Sequence, residues 1–218
     1  MKKIFRIAVD GPSGAGKSTV AKAVAKKLGI EYIDTGAMYR ALGLKMLNLG
    51  MDMKDEEGLK KLLEETEIDF VNGDIILDGQ VVSGMIRTPE VSMAASACSA
   101  YPFVREKMVK AQQKMGESKS VIMDGRDIGT VVFPGAEYKC FITASDEERA
   151  KRRYEELLEK GENVTFEQVL ADIRQRDHND STRAASPLRK ADDAEELDTT
   201  DMTVEEVVSY VCGKVWQL

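Results

Sequence analysis

Short apolar runs rich in β-branched residues, each closed by a polar or glycine-rich segment, set the frame of this chain. Ile4–Val9 ends in Asp10, Glu31–Asp34 follows a glycine, Val121–Met123 ends at Asp124, and Tyr138–Thr143 reads YKCFIT. Such runs are the signature of buried strands. Between the first two, Lys17–Leu28 repeats its apolar residues at helical spacing, and Gly29 supplies a C-cap. The first 35 residues therefore predict strand–loop–helix–strand, which implies a parallel sheet. Gly36–Asn48, Glu56–Thr66 and Pro102–Met115 read as helices. Ser145 with Glu148 predicts a capping box opening a charged helix through Lys160, with Gly161 after it. Thr165 with Gln168 predicts another, through about Asp177, and Thr203 with Glu206 opens a last helix.

One region breaks the pattern. IDFV, NGD, IILDG and QVV alternate in polarity and are punctuated by Asn72-Gly73 and Asp78-Gly79, a strong hairpin signal. An antiparallel patch inside an α/β chain predicts an inserted lobe. The expected organisation is core over 1–35, an insert with a β-hairpin over 36–92, core over 93–146, a short lid over 147–165, and core over 166–218. The expected fold is α/β, a five-stranded parallel sheet with helices on both faces.

Composition narrows the chemistry. The chain has 218 residues, 43% of them hydrophobic, enough for one substantial core with a small lobe. The net charge of −7, with charges mixed along the chain, argues against a nucleic-acid polymer as partner. No run approaches a membrane span, and MKKIFRIAVD lacks a signal-peptide core, so a cytoplasmic protein without membrane attachment is expected. The three cysteines, Cys98, Cys140 and Cys212, lie far apart without metal spacing. A single histidine, His178, leaves almost no material for a catalytic triad or a histidine metal site.

The sharpest motif is Gly11-Pro12-Ser13-Gly14-Ala15-Gly16-Lys17-Ser18, followed by Thr19. It matches the phosphate-binding GxxxxGK[ST] pattern, after a strand and opening a helix as that pattern requires. Its glycines let consecutive N–H groups face phosphates, Lys17 supplies a mobile charge, and the Ser18 hydroxyl suits magnesium. Kinases, GTPases, motor ATPases and nucleotide switches all use this loop. No guanine-reading NKxD motif is visible, and 218 residues offer no length for a large mechanical domain. Transfer to a small acceptor needs a second anion site and further cations. Thr35, Tyr39 and Arg40, in DTGAMYR, are candidates for it, and the alternative is an ordinary turn with a surface arginine. Asp124, Arg126 and Asp127 follow a buried strand, where ligands collect in open α/β sheets. Arg149, Arg152, Arg153, Arg174, Arg176 and Arg183 form an arginine-rich stretch. Most of it reads as a solvated face, although arginine in excess of lysine favours bidentate phosphate contacts.

Taken together, IAVDGPSGAGKST, IDTGAMYR, VSGMIRTPEVSMAAS, DGRDIGTVVFPGAEYKCFITAS, ERAKRR and RDHNDSTRAASPL resemble the cytidylate kinase family over essentially the whole chain. The resemblance implies a P-loop nucleoside monophosphate kinase that uses ATP with Mg²⁺ and takes CMP or dCMP as acceptor. It implies that the insert is a monophosphate-binding lobe. By position, Ser96, Arg105 and Asp127 would read cytosine, and Arg40, Arg126 and Arg183 would hold the acceptor phosphate with Tyr39 beside them. Thr35 keeps a hydroxyl where serine is also common. Arg176 and Asp180 would contact ribose, and Arg152 and Arg153 would close over the ATP phosphates. His178 and Asn179 depart mildly from a segment that is often more uniformly charged. A monomer is expected. The rivals are another small-molecule P-loop kinase, such as an adenylate or shikimate kinase, and a non-enzymatic nucleotide switch.

Overall fold

A computed structural model describes residues 4–71 and 73–217. Asn72, the first half of the expected Asn-Gly turn, and residues 1–3 of the N-terminal segment lie outside the described residues, as does Leu218. In chain order the elements are β1 (Arg6–Asp10), α1 (Lys17–Leu28), β2 (Glu31–Asp34), α2 (Thr35–Asn48), α3 (Glu56–Glu64), β3 (Ile68–Val71), β4 (Asp74–Leu77) and β5 (Gln80–Val81). They continue as α4 (Pro89–Cys98), α5 (Pro102–Met115), β6 (Val121–Gly125), β7 (Tyr138–Thr143), α6 (Asp146–Glu159), α7 (Phe166–Thr182), β8 (Glu195–Asp198) and α8 (Val204–Val215).

The chain divides into two compact units, residues 1–32 with 119–218, and residues 33–118. The first is built on a five-stranded parallel sheet in the order β2-β6-β1-β7-β8. Ile7, Ala8 and Val9 are all buried to 1% or less, so both faces of the central strand are covered, as a parallel sheet demands. Ile7, Val9, Ile122, Cys140 and Ile142 pack with Val20, Ala21 and Val24 of α1 and Val207, Val211 and Cys212 of α8. β8, EELD, supplies the fifth strand, and only its Leu197 is buried. After β6 the backbone widens into a π-turn over Ile128–Val132, with Val132 N–H bonded to Asp127 O at 3.2 Å.

Three capping expectations met different outcomes. Thr165/Gln168 and Thr203/Glu206 are full reciprocal boxes. Ser145 accepts from Glu148 N, but its own N–H goes to Thr200 Oγ1, and the Glu148 carboxylate binds Arg152 instead. That box is half made because a tertiary partner and an i,i+4 arginine outcompete the local return bond.

The second unit has its own core. Met38, Leu42 and Met46 of α2 are buried with Leu59 and Leu63 of α3, Ile75 and Leu77 of β4, and Val104 and Met108 of α5. The small sheet pairs β3, β4 and β5 antiparallel, and Asp78 and Gly79 turn with φ of 48° and 79°, as a type I′ hairpin requires. This unit runs wider than the 36–92 drawn from the sequence, because Val104 and Met108 bury their apolar faces in its core rather than against the parallel sheet. Helix α4, not expected from periodicity, starts at the Thr88 cap with Pro89 in its first turn. Gly43 of α2 lies so close to α4 that a Cβ would sit 2.8 Å from Ala95 N, and the facing residues are the small Ala94 and Ala95.

Candidate active site

β1 delivers the chain into the phosphate loop at Asp10, and the loop must bend hard against β7. Gly11 has φ 147°, and a Cβ there would stand 1.9 Å from Ile142 O, so no other residue fits. α1 opens after Gly16 with no side-chain cap, leaving its dipole and first N–H groups for an anion. Pro12 and Ala15 are buried, while Gly14 and Thr19 are exposed. Lys17 is only 5% exposed, and its ammonium donates to Pro12 O at 2.6 Å. Burial, then the charge of Arg126, pushes its pKa down to about 7. Ser18 Oγ donates to Asp124 Oδ2 at 2.8 Å, and Tyr32 Oη donates to Asp124 Oδ1 at 2.7 Å.

The loop is also held from outside. Ser13 N–H donates to Asp177 Oδ1 at 3.0 Å, and Ser13 O accepts from Arg149 at 2.8 Å. Arg149 itself binds Asp177 at 2.5 Å and also pairs with Asp146. Its side chain is 4% exposed, so the expectation of a solvated face fails for this arginine. Arg174 does match that expectation, pairing with Asp146 and Glu147 at the surface.

Beyond β6 the cations gather. Arg126 Nε donates to Asp180 at 2.7 Å and Arg183 binds the other oxygen of Asp180 at 3.1 Å, while Arg183 Nε donates to Ser186 O at 2.7 Å. Burial works against both charges of the first pair, yet their mutual attraction holds Arg126 above and Asp180 below the ordinary values. Arg176 is shifted down, first by burial and then by the like charges of Arg126 and Arg153. Arg152 reaches Glu148 and Thr199 O, and Arg153 reaches Glu156. Asp127 is buried, and Asp10 beside it accepts from Ile128 N at 2.8 Å and Gly129 N at 2.7 Å. Burial, the largest cause, raises Asp10 to about 6.

In the second unit, Asp34 caps α2 by accepting from Ala37 N at 2.9 Å. Its other oxygen holds Arg40 at 2.8 Å and Arg87 at 3.1 Å. Thr35 is buried at the start of α2. Arg105 is 3% exposed, with its guanidinium 5.3 Å from the Tyr39 ring centroid. Ser96 is half-buried on α4, its carbonyl accepting from Ser99 Oγ. Cys98 is pushed up to about 12 by burial, which leaves it an inert thiol.

Sequence reasoning did not single out Tyr32, Asp10 or Arg87, nor the Arg149–Asp177 clamp, and it placed Asp34 in the DTGAMYR cluster without a role of its own. Asp34 and Arg87 stand inside the quoted motif stretches, so a signal was present. Tyr32 and Arg149 act through partners 92 and 28 residues away, and only the fold reveals them.

The loop, its buried lysine and the strand-end aspartate beneath its serine define a P-loop phosphate-binding protein of the kinase fold. Shikimate kinase from Bacteroides thetaiotaomicron shares that fold at a TM-score of 0.50 and 13% identity, over 99% of this chain and 100% of its own. The cytidylate kinase family profile matches residues 7–217. Cytidylate kinase of Clostridioides difficile is 54% identical over 209 residues, 96% of this chain and 97% of that protein. Cytidylate kinase of Caldicellulosiruptor saccharolyticus is 54% identical over 97% of this chain and 95% of its own. The chain belongs to the cytidylate kinase family and is an enzyme.

Proposed function

We propose that the enzyme transfers the γ-phosphoryl of ATP to CMP or dCMP, giving CDP or dCDP and ADP. One observation carries the reading. The charge of Arg126 bears on Lys17, and those of Arg126 and Arg153 bear on Arg176, so positive charge converges here in a chain whose relatives are named cytidylate kinase. Such a convergence of cations around one buried lysine suits a ligand of dense negative charge.

In this reading the loop residues Gly11 to Thr19 hold the ATP phosphates, with Lys17 on the transferring group. The donor set near it, the Ser18 hydroxyl and the Asp124 carboxylate, is hard oxygen and suits magnesium, which keeps most of its ligands as water and substrate oxygens. A bound magnesium ion would neutralise charge shared between the β- and γ-phosphoryl oxygens. Arg152 and Arg153 lie on the proposed lid, residues 147–165, which closes over ATP and excludes water, a competing acceptor.

On the acceptor side, Arg40, Arg126 and Arg183 hold the monophosphate with Thr35 and Tyr39, and Arg176 and Asp180 hold the ribose. Ser96, Arg105 and Asp127 read cytosine, the carboxylate accepting from the exocyclic amino group and the arginine donating to the ring nitrogen and carbonyl. Uracil would set a carbonyl against Asp127. The anionic acceptor oxygen attacks in line and needs no strong general base. We propose a cytoplasmic monomer acting on free nucleotides rather than on polymers; no described helix is long and apolar enough to cross a membrane.

The test is direct chromatography of nucleotides after incubation with ATP, CMP and Mg²⁺. CDP and ADP should accumulate in equal amounts, and EDTA should stop them. A nucleotide switch would bind ATP and form no CDP, and that outcome would end the proposal.

A further inference from the structure

Asp10 is a buried carboxylate that the transfer reaction does not use. It closes β1, is 4% exposed, and spends both oxygens on consecutive backbone N–H groups, Ile128 at 2.8 Å and Gly129 at 2.7 Å. Those N–H groups directly follow Asp127, whose carbonyl in turn anchors the π-turn by accepting from Val131 and Val132. In the sheet Asp10 stands opposite Gly125, so the chain leaves β6, passes through Arg126 and Asp127, and is caught again by the carboxylate beside its departure point. The clamp is tight from the other side too. A Cβ on Gly129 would lie 3.3 Å from Asp10 Oδ2 and 3.2 Å from Lys139 Cδ, the far part of a flexible side chain that can give way more easily than the bonded carboxylate.

A buried, charged carboxylate is expensive unless its hydrogen bonds are satisfied, and here burial raises its pKa while the two N–H bonds lower it. A strand-end position facing the sheet ladder could be filled by any small residue at lower cost. What a carboxylate adds is two acceptors at the spacing of two successive N–H groups, which fixes the peptide planes around Asp127 and with them the direction of its side chain.

We propose that Asp10 is a positioning residue that sets the aim of Asp127 and thereby the choice of acceptor base. The inference rests on the reading of Asp127 as the group that accepts from cytosine.

The variant Asp10→Asn keeps the shape and replaces one acceptor by an NH₂ group facing an N–H. Expected is a fall of about tenfold in the CMP-to-UMP ratio of kcat/KM, the scale of one lost or repelled hydrogen bond; the Asp10 charge also reaches Lys17, and any loss of turnover from that source falls on both acceptors alike and leaves the ratio unmoved. Gly129→Ala, which presses on the same clamp, should narrow the CMP-to-UMP ratio in the same direction by a smaller factor. It also serves should Asp10→Asn not fold, which melting curves reveal. A purely structural role would lower melting temperature while leaving the CMP-to-UMP ratio of folded enzyme at its wild-type value, and that result in Gly129→Ala or Asp10→Asn overturns the proposal. Asp127→Ala run beside them separates the two claims. If it leaves the ratio unchanged, the base-reading role fails and this inference with it. If it collapses the ratio while the clamp variants do not, the base-reading role stands and only the positioning role of Asp10 is refuted.

Discussion

Both units bury an arginine, Arg149 in one and Arg105 in the other, yet they anchor their remaining cations differently. In the sheet unit, Lys17 and Arg149 are nearly sealed from solvent, at 5% and 3% exposure. Two carboxylates of α7 hold the neighbouring cations, Asp180 on Arg126 and Asp177 on Arg149. In the 33–118 unit, Arg40 and Arg87 share the single carboxylate of Asp34, and Arg87 is 51% exposed. The first arrangement is preorganised. Desolvation is endured in the empty enzyme, so that cations stand ready at fixed positions when charge arrives. In the second, two arginines share one anchor, and the buried Arg105 rests on the Tyr39 ring.

Variants can break this contrast, and the largest effect is expected at Lys17. Lys17→Ala should lower turnover by at least about 10²–10³, the usual worth of one electrostatic contact to a transferring group. Near-native turnover in a steady-state assay would contradict the preorganised reading. The same variant should be more stable than wild type without nucleotide. The folded pKa of Lys17, about 7, lies below its ordinary 10.5, so the unfolded chain binds more protons between those values. Wild-type stability therefore rises with pH across that window. The stability gap should be greatest at pH 7 and below and should shrink toward pH 10, as read by denaturant titration at several pH values.

Arg126→Ala and Arg183→Ala come next. Each removes one guanidinium from Asp180 and should weaken use of CMP by about tenfold or more, the scale of a charge-assisted bond left unmade. ATP affinity, measured by calorimetry without CMP, should change less. An equal loss of ATP affinity would move both arginines to the donor side of the comparison.

A third variant sharpens the contrast by disturbing one unit alone. Gly43→Val forces side-chain atoms against Ala95 N of α4, where even a Cβ would be 2.8 Å away. It should destabilise the protein by about 1–3 kcal/mol through overpacking. ATP affinity of the folded protein should persist, and a parallel loss in calorimetry would show that the two units are not independent in this respect. The smallest effect is expected for Arg87→Ala. Its pair with Asp34 is half-exposed, worth about 0–1 kcal/mol, so stability by thermal melt should hardly change.

Where local backbone demands decide the structure, the sequence could be read directly. The phosphate loop is legible because its glycines satisfy a contact such as Gly11 against Ile142 O. The helix starts at Thr165 and Thr203 are legible because their partners lie three residues away. The fifth strand was expected but not located, since EELD buries only Leu197 and carries no apolar alternation. Helix α4 was hidden because its apolar face is made of Val91, Ala94, Ala95 and Cys98, small residues chosen for close approach to α2 rather than for a visible stripe. The site divides in the same way. Arg126 and Asp180 could be nominated from motif context. The burial of Arg149 by Asp177 and the Tyr32 bond to Asp124 depend on segments that meet only after folding.

The central claim is that this enzyme selects a cytosine monophosphate as acceptor, and a coupled assay of ADP release tests it most directly. Wild-type enzyme with saturating ATP and Mg²⁺ would be given CMP, dCMP, UMP, AMP and GMP separately. The account predicts that CMP or dCMP gives the highest kcat/KM, and that uracil loses at least about tenfold to cytosine because, in the proposed pose, it sets a carbonyl against the Asp127 carboxylate. A higher kcat/KM with AMP, GMP or UMP than with either cytosine nucleotide, or ADP release that needs no acceptor, would contradict it.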